Sequence, residues 1–197
     1  GPRGDDGSEP AHRAERGRER LMDLETLLQR AISLADGGDW GPAAEVLRDN
    51  VADFADEASV HCALGVAERE LGNDGVAYEC FKKALALQPE DPYVLATAGN
   101  GVAWFDDPAA MEALKSAALL APDVPLTRML YGAYLAREGF HDWAVEQLEA
   151  AREIDKADPQ IRYELGVAHA LSGQTSRAAD SLGEAVQLEP SDGWMRM

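Results

Sequence analysis

The sequence predicts an all-α fold, a right-handed α-α superhelix of helix-turn-helix repeats, on three observations. The tetrapeptide LGVA begins at Leu64 and again at Leu165 in a 197-residue chain that has no low-complexity tract. The residues around each copy stay in step: Gly65, Gly72, Ala77, Phe81, Ala84 and Pro89 match Gly166, Gly173, Ala178, Leu182, Ala185 and Pro190. Between them, "YGAYLAREGFHDWAVEQLEAAREIDK" puts Gly132, Gly139, Ala144, Leu148 and Ala151 in the same slots, and Gly132 to Gly166 is a step of 34 residues. A period of that length marks supersecondary units that bury their apolar faces only by stacking.

Each unit reads as two short amphipathic helices joined at a Gly and closed by a Pro or a charged turn. Gly65, Gly132 and Gly166 fall inside the first helix, where Gly costs about 1 kcal/mol relative to Ala. Close approach of the second helix, presenting Ala77, Ala144 or Ala178, is expected to offset that cost. Gly72, Gly139 and Gly173 end the first helix in a left-handed conformation. Phe81, Leu148 and Leu182 then fill the space between neighbouring pairs.

In chain order this gives five units, 24–57, 58–91, 92–124, 125–158 and 159–192. The first is irregular, with Ala31 for the Gly, Asn50 for the second Ala and Ala55 for the closing Pro, as a terminal unit of an array is expected to be. In the third, Gly99 keeps the frame while Ala110, Leu114, Ala117 and Pro122 run one residue early. Its turn "WFDDPAA" is expected to tighten, with Asp107 as N-cap and Pro108 at the first helical position. Residues 1–23 form a polar leader that frays or extends the first helix backwards. Residues 193–197 read as a truncated tail or the start of a capping helix, with Trp194 and Met195 placed to cover the last unit.

These residues resemble the tetratricopeptide repeat family, whose pattern of a Leu-Gly pair, a turn Gly, then Ala, an aromatic or Leu, Ala and Pro is met at Leu64-Gly65 through Pro89 and again at Leu165-Gly166 through Pro190. The resemblance implies a solenoid of about five repeats acting in protein-protein interaction. Co-chaperones of the family grip a C-terminal carboxylate with Lys, Asn and Arg on the inner helices. Here only Arg69, Arg137 and Asn100 are in such places, which argues against that function. The mainly apolar lining is similar instead to secretion chaperones and bacterial assembly scaffolds of the family.

Composition narrows the class further. Lys and Arg number 18 against 36 Asp and Glu, a formal charge of −18, so phosphate backbones are repelled and nucleic acid is not an expected partner. Residues 1–23 hold five Arg and six acids, which leaves 13 basic and 30 acidic residues in the remainder, a surface that speeds encounter with basic partners. No run of eighteen apolar residues occurs, so direct membrane insertion is not expected. The leader lacks the apolar segment of a signal peptide. The opening Gly-Pro resembles a protease scar, so an upstream targeting sequence stays open. Cys62 and Cys80 have no metal-ligand spacing and read as free buried thiols of a cytoplasmic protein.

No catalytic constellation emerges, and neither cofactor nor metal is expected. His12, His61, His141 and His169 are scattered over different units, without the pairing a metal needs. "GNGVA" lies within a helix rather than after a strand, and Arg3-Gly4-Asp5 is a three-letter match in a polar leader. The chain is therefore expected not to be an enzyme. What remains is surface. First helices line the inner face of such a superhelix, and residues three before and one after the central small residue, then a turn later, share that face. This gives Leu28 and Ile32; Cys62, Val66 and Arg69; Ala96, Asn100 and Trp104; Met129, Ala133 and Arg137; and Tyr163, Val167 and Leu171, with Tyr93 and Leu126 at the rim. Aromatics and Met in an apolar concavity suit an extended peptide or a helix, and Asn100 can hold a backbone amide as donor and acceptor. Cys62, Ala96 and Ala133 are equally suited to packing first helices together. Two other readings stand beside this one: a scaffold that self-associates through an uncapped C-terminal end, and a regulatory repeat domain of a larger enzyme.

Overall fold

The structure, a computed structural model, describes residues 22–188. The described residues form ten α-helices and no strand: α1 Leu24–Asp36, α2 Trp40–Asn50, α3 Ala58–Glu70, α4 Asp74–Ala86, α5 Pro92–Ala103, α6 Ala109–Leu120, α7 Pro125–Arg137, α8 His141–Ile154, α9 Pro159–Leu171 and α10 Thr175–Leu188. Odd-numbered helices pack on both neighbouring odd helices, whereas even-numbered ones pack on the odd helices before and after them. The result is two layers, an inner one of first helices and an outer one of second helices, with the core between them.

Left-handed residues recur with the repeat. Gly38, Gly72, Gly139 and Gly173 have φ of 77–85°. Four first helices close with the same backbone bond from the residue after that Gly, namely Asp39 N to Leu34 O, Asn73 N to Glu68 O, Phe140 N to Leu135 O and Gln174 N to His169 O. The third unit keeps the left-handed residue in register but as Asp106, at φ 52°. The missing residue falls after it. There Asp107 Oδ1 accepts the Ala109 N–H at 2.9 Å across Pro108, while Oδ2 accepts the Tyr78 hydroxyl at 2.9 Å. Phe105 closes onto Tyr78 with ring centroids 4.5 Å apart. The short turn is thus capped and pinned to the preceding unit. Asp91 and Asp158 cap α5 and α9 in the same way, each accepting a backbone N–H at 2.8 Å across a Pro.

The glycines inside first helices are filled differently from the expectation. A Cβ on Gly65 would stand 2.7 Å from the Phe81 ring, one on Gly132 2.7 Å from Leu148 Cγ, and one on Gly166 2.6 Å from Leu182 Cγ. Space is made for the large residue of the second helix, not for Ala77 or Ala178; the second-helix backbone comes close as well at Gly132, with Ala144 O at 3.1 Å, and at Gly166, with Leu182 N at 3.3 Å. Phe81 is clamped from both sides, because a Cβ on Gly101 of α5 would overlap the opposite edge of its ring. That second glycine escapes a pattern read unit by unit.

α1 begins at Leu24 behind Asp23, whose backbone is extended (φ −71°, ψ 161°) and whose carboxylate accepts the Thr26 N–H at 2.8 Å. The backward extension of the first helix through Asp23 is therefore corrected: a capped N-terminus ends the helix there. The remainder of the leader, and Trp194 and Met195, lie outside the described residues.

Units are also tied by polar contacts the sequence did not announce. His61, Arg128 and Arg162 hold one register position, and each bonds the carbonyl six residues earlier, on Ala55, Pro122 and Lys156, at 2.7–2.9 Å. Glu68, 2% exposed, takes Arg48 Nε of α2 at 2.6 Å and Asn73 Nδ2 at 2.8 Å. The Arg48 hydrogen bond is the main reason its carboxyl is held below the usual range, against the opposing effect of desolvation.

Candidate functional site

The inner layer carries the surface selected from the sequence, but not every selected side chain reaches it. Cys62, Ala96, Met129 and Ala133 are buried between helices, with Cys62 in the α3–α7 core and Met129 in the α7–α9 core. They are corrected from lining to packing residues, since successive first helices touch and enclose whatever points along the seam. Burial pushes the Cys62 thiol up to about 12 and the Cys80 thiol to about 11, so neither is a thiolate nucleophile at neutral pH.

Leu28, Val66, Asn100, Leu126, Tyr163 and Val167 are half-buried, whereas Ile32, Tyr93, Trp104, Arg137 and Leu171 are exposed. Four of the selected side chains line two clefts, Ile32 and Val66 the first, Arg69 and Trp104 the second. At the first unit, Ile32, Trp40 and Val66 edge an apolar cleft of about 250 Å³ floored by Leu47 and the alanines of α1, α2 and α3. Between the second and third units a cleft of about 410 Å³ is walled by Arg69, Asp74, Trp104 and Phe105 and floored by Phe81, Ala77 and Gly101.

Trp104 dominates the second cleft. It is 68% exposed at the end of α5, where the helix stops before the short turn. The Arg137 guanidinium of the next unit stands 5.4 Å over its ring, and that of Arg69 stands 5.8 Å over Phe81. One turn before Trp104, the Asn100 amide makes no hydrogen bond to the described residues. An indole steadied by a guanidinium, beside an open cleft and an unused amide, offers an apolar platform and a polar anchor together.

Sequence reasoning missed Glu164 on α9. It is half-buried, bonded by Gln160 Nε2 at 3.0 Å, and its carboxyl is pushed up by desolvation, against the lowering effects of Gln160 and Arg137. It also missed Phe105, because the turn residues were weighed for capping alone. Among the described residues no cluster of three metal-ligating side chains occurs, and no helix is long and apolar enough to cross a membrane.

Residues 58–91 match the tetratricopeptide repeat family. The fold is shared along nearly the whole chain with solved repeat structures. YrrB, "a TPR protein with an unusual peptide-binding site", is 22% identical over 90% of this chain and 92% of its own, with a TM-score of 0.64. The chain thus has the fold of a tetratricopeptide-type helical repeat array, with one unit that matches the family itself. A thermophilic tetratricopeptide protein of Thermus thermophilus shows the same solenoid at 21% identity, over 87% of this chain and 94% of its own, with a TM-score of 0.68. MamA from Desulfovibrio magneticus does so at 18% identity, over 87% and 98%, with a TM-score of 0.64. No curated protein matches the sequence. The expectation of an all-helical tetratricopeptide solenoid is borne out, and the matched unit is the one that opens on the first LGVA.

Proposed function

We propose that this tetratricopeptide array is a non-enzymatic protein-interaction module whose inner face binds a peptide or helix of a partner protein, as a scaffold or assembly chaperone does. The observation that carries the reading is Trp104, 68% exposed, braced by Arg137 at 5.4 Å and bordering the cleft floored by Phe81. A large aromatic held rigid at a cleft mouth loses little entropy on binding, which is why such residues dominate interface energetics. The peptide-binding site that the YrrB structure is named for supports assigning the same use to this solenoid. The net charge of −18 steers partners with basic segments toward the face, and Glu164 beside Arg137 gives such a segment a local counter-charge.

The test is selection of 12-residue peptides from a randomised displayed library on the described array. One group of the selected peptides is expected to bind wild type at least tenfold more tightly than Trp104→Ala, and several-fold more tightly than Asn100→Ala, with unchanged helicity by circular dichroism. Met129→Glu is not a usable probe, because Met129 is core. Equal affinity of every selected peptide for wild type and both variants would remove the inner face as the site.

A further inference from the structure

The outer face holds a third cleft, which the inner-groove reading does not use. It lies between the second helices α6 and α8, which do not pack on each other, and it is floored by α7. Its volume is about 380 Å³. Leu119, 71% exposed, and Trp143, 60% exposed, form its walls, with Tyr131 and Leu135 beneath. Phe140 stacks on Trp143 with centroids 5.5 Å apart and so fixes the indole.

The repeat provides its own control for whether the fold needs these walls. Leu119 occupies the register position that holds Ala86, Glu153 and Gln187 in other units, and Trp143 the one that holds Val76, Ala109 and Arg177. Stacking is compatible with a small or charged side chain at either place, so two large exposed apolar residues facing one cleft are not explained by the array's packing.

The charge there is also unlike the rest of the chain. Lys115 and Arg128 border the cleft against one acid, Glu146, in a protein with twice as many acids as bases. Arg162, in the same register as Arg128, reaches a carboxylate, Glu184, at 2.9 Å. Arg128 instead meets neutral groups, the Pro122 carbonyl at 2.7 Å and the Gln147 amide oxygen at 2.9 Å. Lys115 has no ion-pair partner among the described residues. Two uncompensated cations beside an apolar slot complement an anion next to an apolar side chain.

We propose that this outer cleft is a second docking site, taking a partner-protein segment that carries one bulky apolar side chain next to an Asp or Glu. The apolar side chain enters between Leu119 and Trp143, and the carboxylate lies on Lys115 and Arg128. Repulsion from the remaining acidic surface does not forbid this, because charges farther than the screening length of about 8 Å at physiological salt act weakly. A second copy of the chain is the disfavoured occupant, since it brings the same charge of −18.

The test uses the randomised displayed 12-residue library on wild type, followed by sorting of the selected peptides on variants borrowed from other units, Leu119→Glu, Trp143→Ala and Lys115→Glu, the last following Glu149. The expected result is a set of peptides combining Trp, Phe or Leu with Asp or Glu. Their binding should fall about tenfold or more on Leu119→Glu or Trp143→Ala and several-fold on Lys115→Glu, yet hold on Trp104→Ala. Circular dichroism and thermal melts confirm that the variants fold. The proposal is overturned if no selected peptide responds to these three substitutions, or if the responsive peptides are basic rather than acidic. Loss on Trp104→Ala alone would support only the inner groove.

Discussion

The front of the array and its back solve one stacking problem with different side chains. Between the second and third units the filler is Phe81, and both flanking first helices present glycine, Gly65 and Gly101. Between the fourth and fifth it is Leu148, with Gly132 on one side and Ala168, the register equivalent of Gly101, buried on the other. The polar seam differs too. Glu68, at the front, is buried with two hydrogen-bonding partners, whereas its equivalent His169 is buried with an unpartnered Nδ1. At these two seams the larger filler is matched by the smaller neighbour one unit on, as close packing requires.

The comparison breaks most visibly at the ion pair between buried Glu68 and half-exposed Arg48. Arg48→Ala leaves Glu68 buried with only Asn73, and a loss of about 2–3 kcal/mol is expected in urea denaturation. The pH dependence sharpens this. Since the folded-state pKa of Glu68 is depressed, its contribution is complete above the ordinary Glu value and drains as pH falls through the depressed one. Glu68→Gln should flatten that part of the acid-side stability curve, while His169→Gln at the back leaves it in place. A slope unchanged in Glu68→Gln would show that the pair does not act as described.

A smaller effect is expected at the aromatic seam. Gly101→Ala forces a methyl onto the Phe81 ring and should cost about 1–3 kcal/mol despite the better helix propensity of Ala. Adding Phe81→Leu recreates the Leu148–Ala168 arrangement of the back and should recover a large part of the loss. Additive effects in that double-mutant cycle would contradict volume complementarity. Smallest is Asp106→Gly, which gives the third turn the residue used at Gly72, Gly139 and Gly173 and relieves a positive φ. A gain of about 0.5 kcal/mol is expected, because Asp tolerates the left-handed region better than most residues. A loss would mean that the Asp106 side chain holds the short turn.

The recurrence of LGVA and the step of 34 residues determined the repeat, the helix pairs and the inner face, because a stacked unit must repeat its small and large residues at fixed intervals wherever it sits. The missing residue of the third unit was visible as a frame shift, but that Asp106 retains the left-handed position was not, since Asp gives no such signal by itself. Helical spacing selected Asn100, Trp104 and Arg137, which the structure leaves at least partly exposed, yet it also selected Cys62, Ala96, Met129 and Ala133, which are buried. Spacing gives an angle around one helix axis and is silent about how near the next helix lies. Only tertiary structure decided which of those side chains are sealed in the seam, that Gly101 answers Phe81 twenty residues earlier, and that Leu119 and Trp143 from different units face a single outer cleft. Each of these is a distance between two helices, set by the packed volumes of both, and no residue carries it alone.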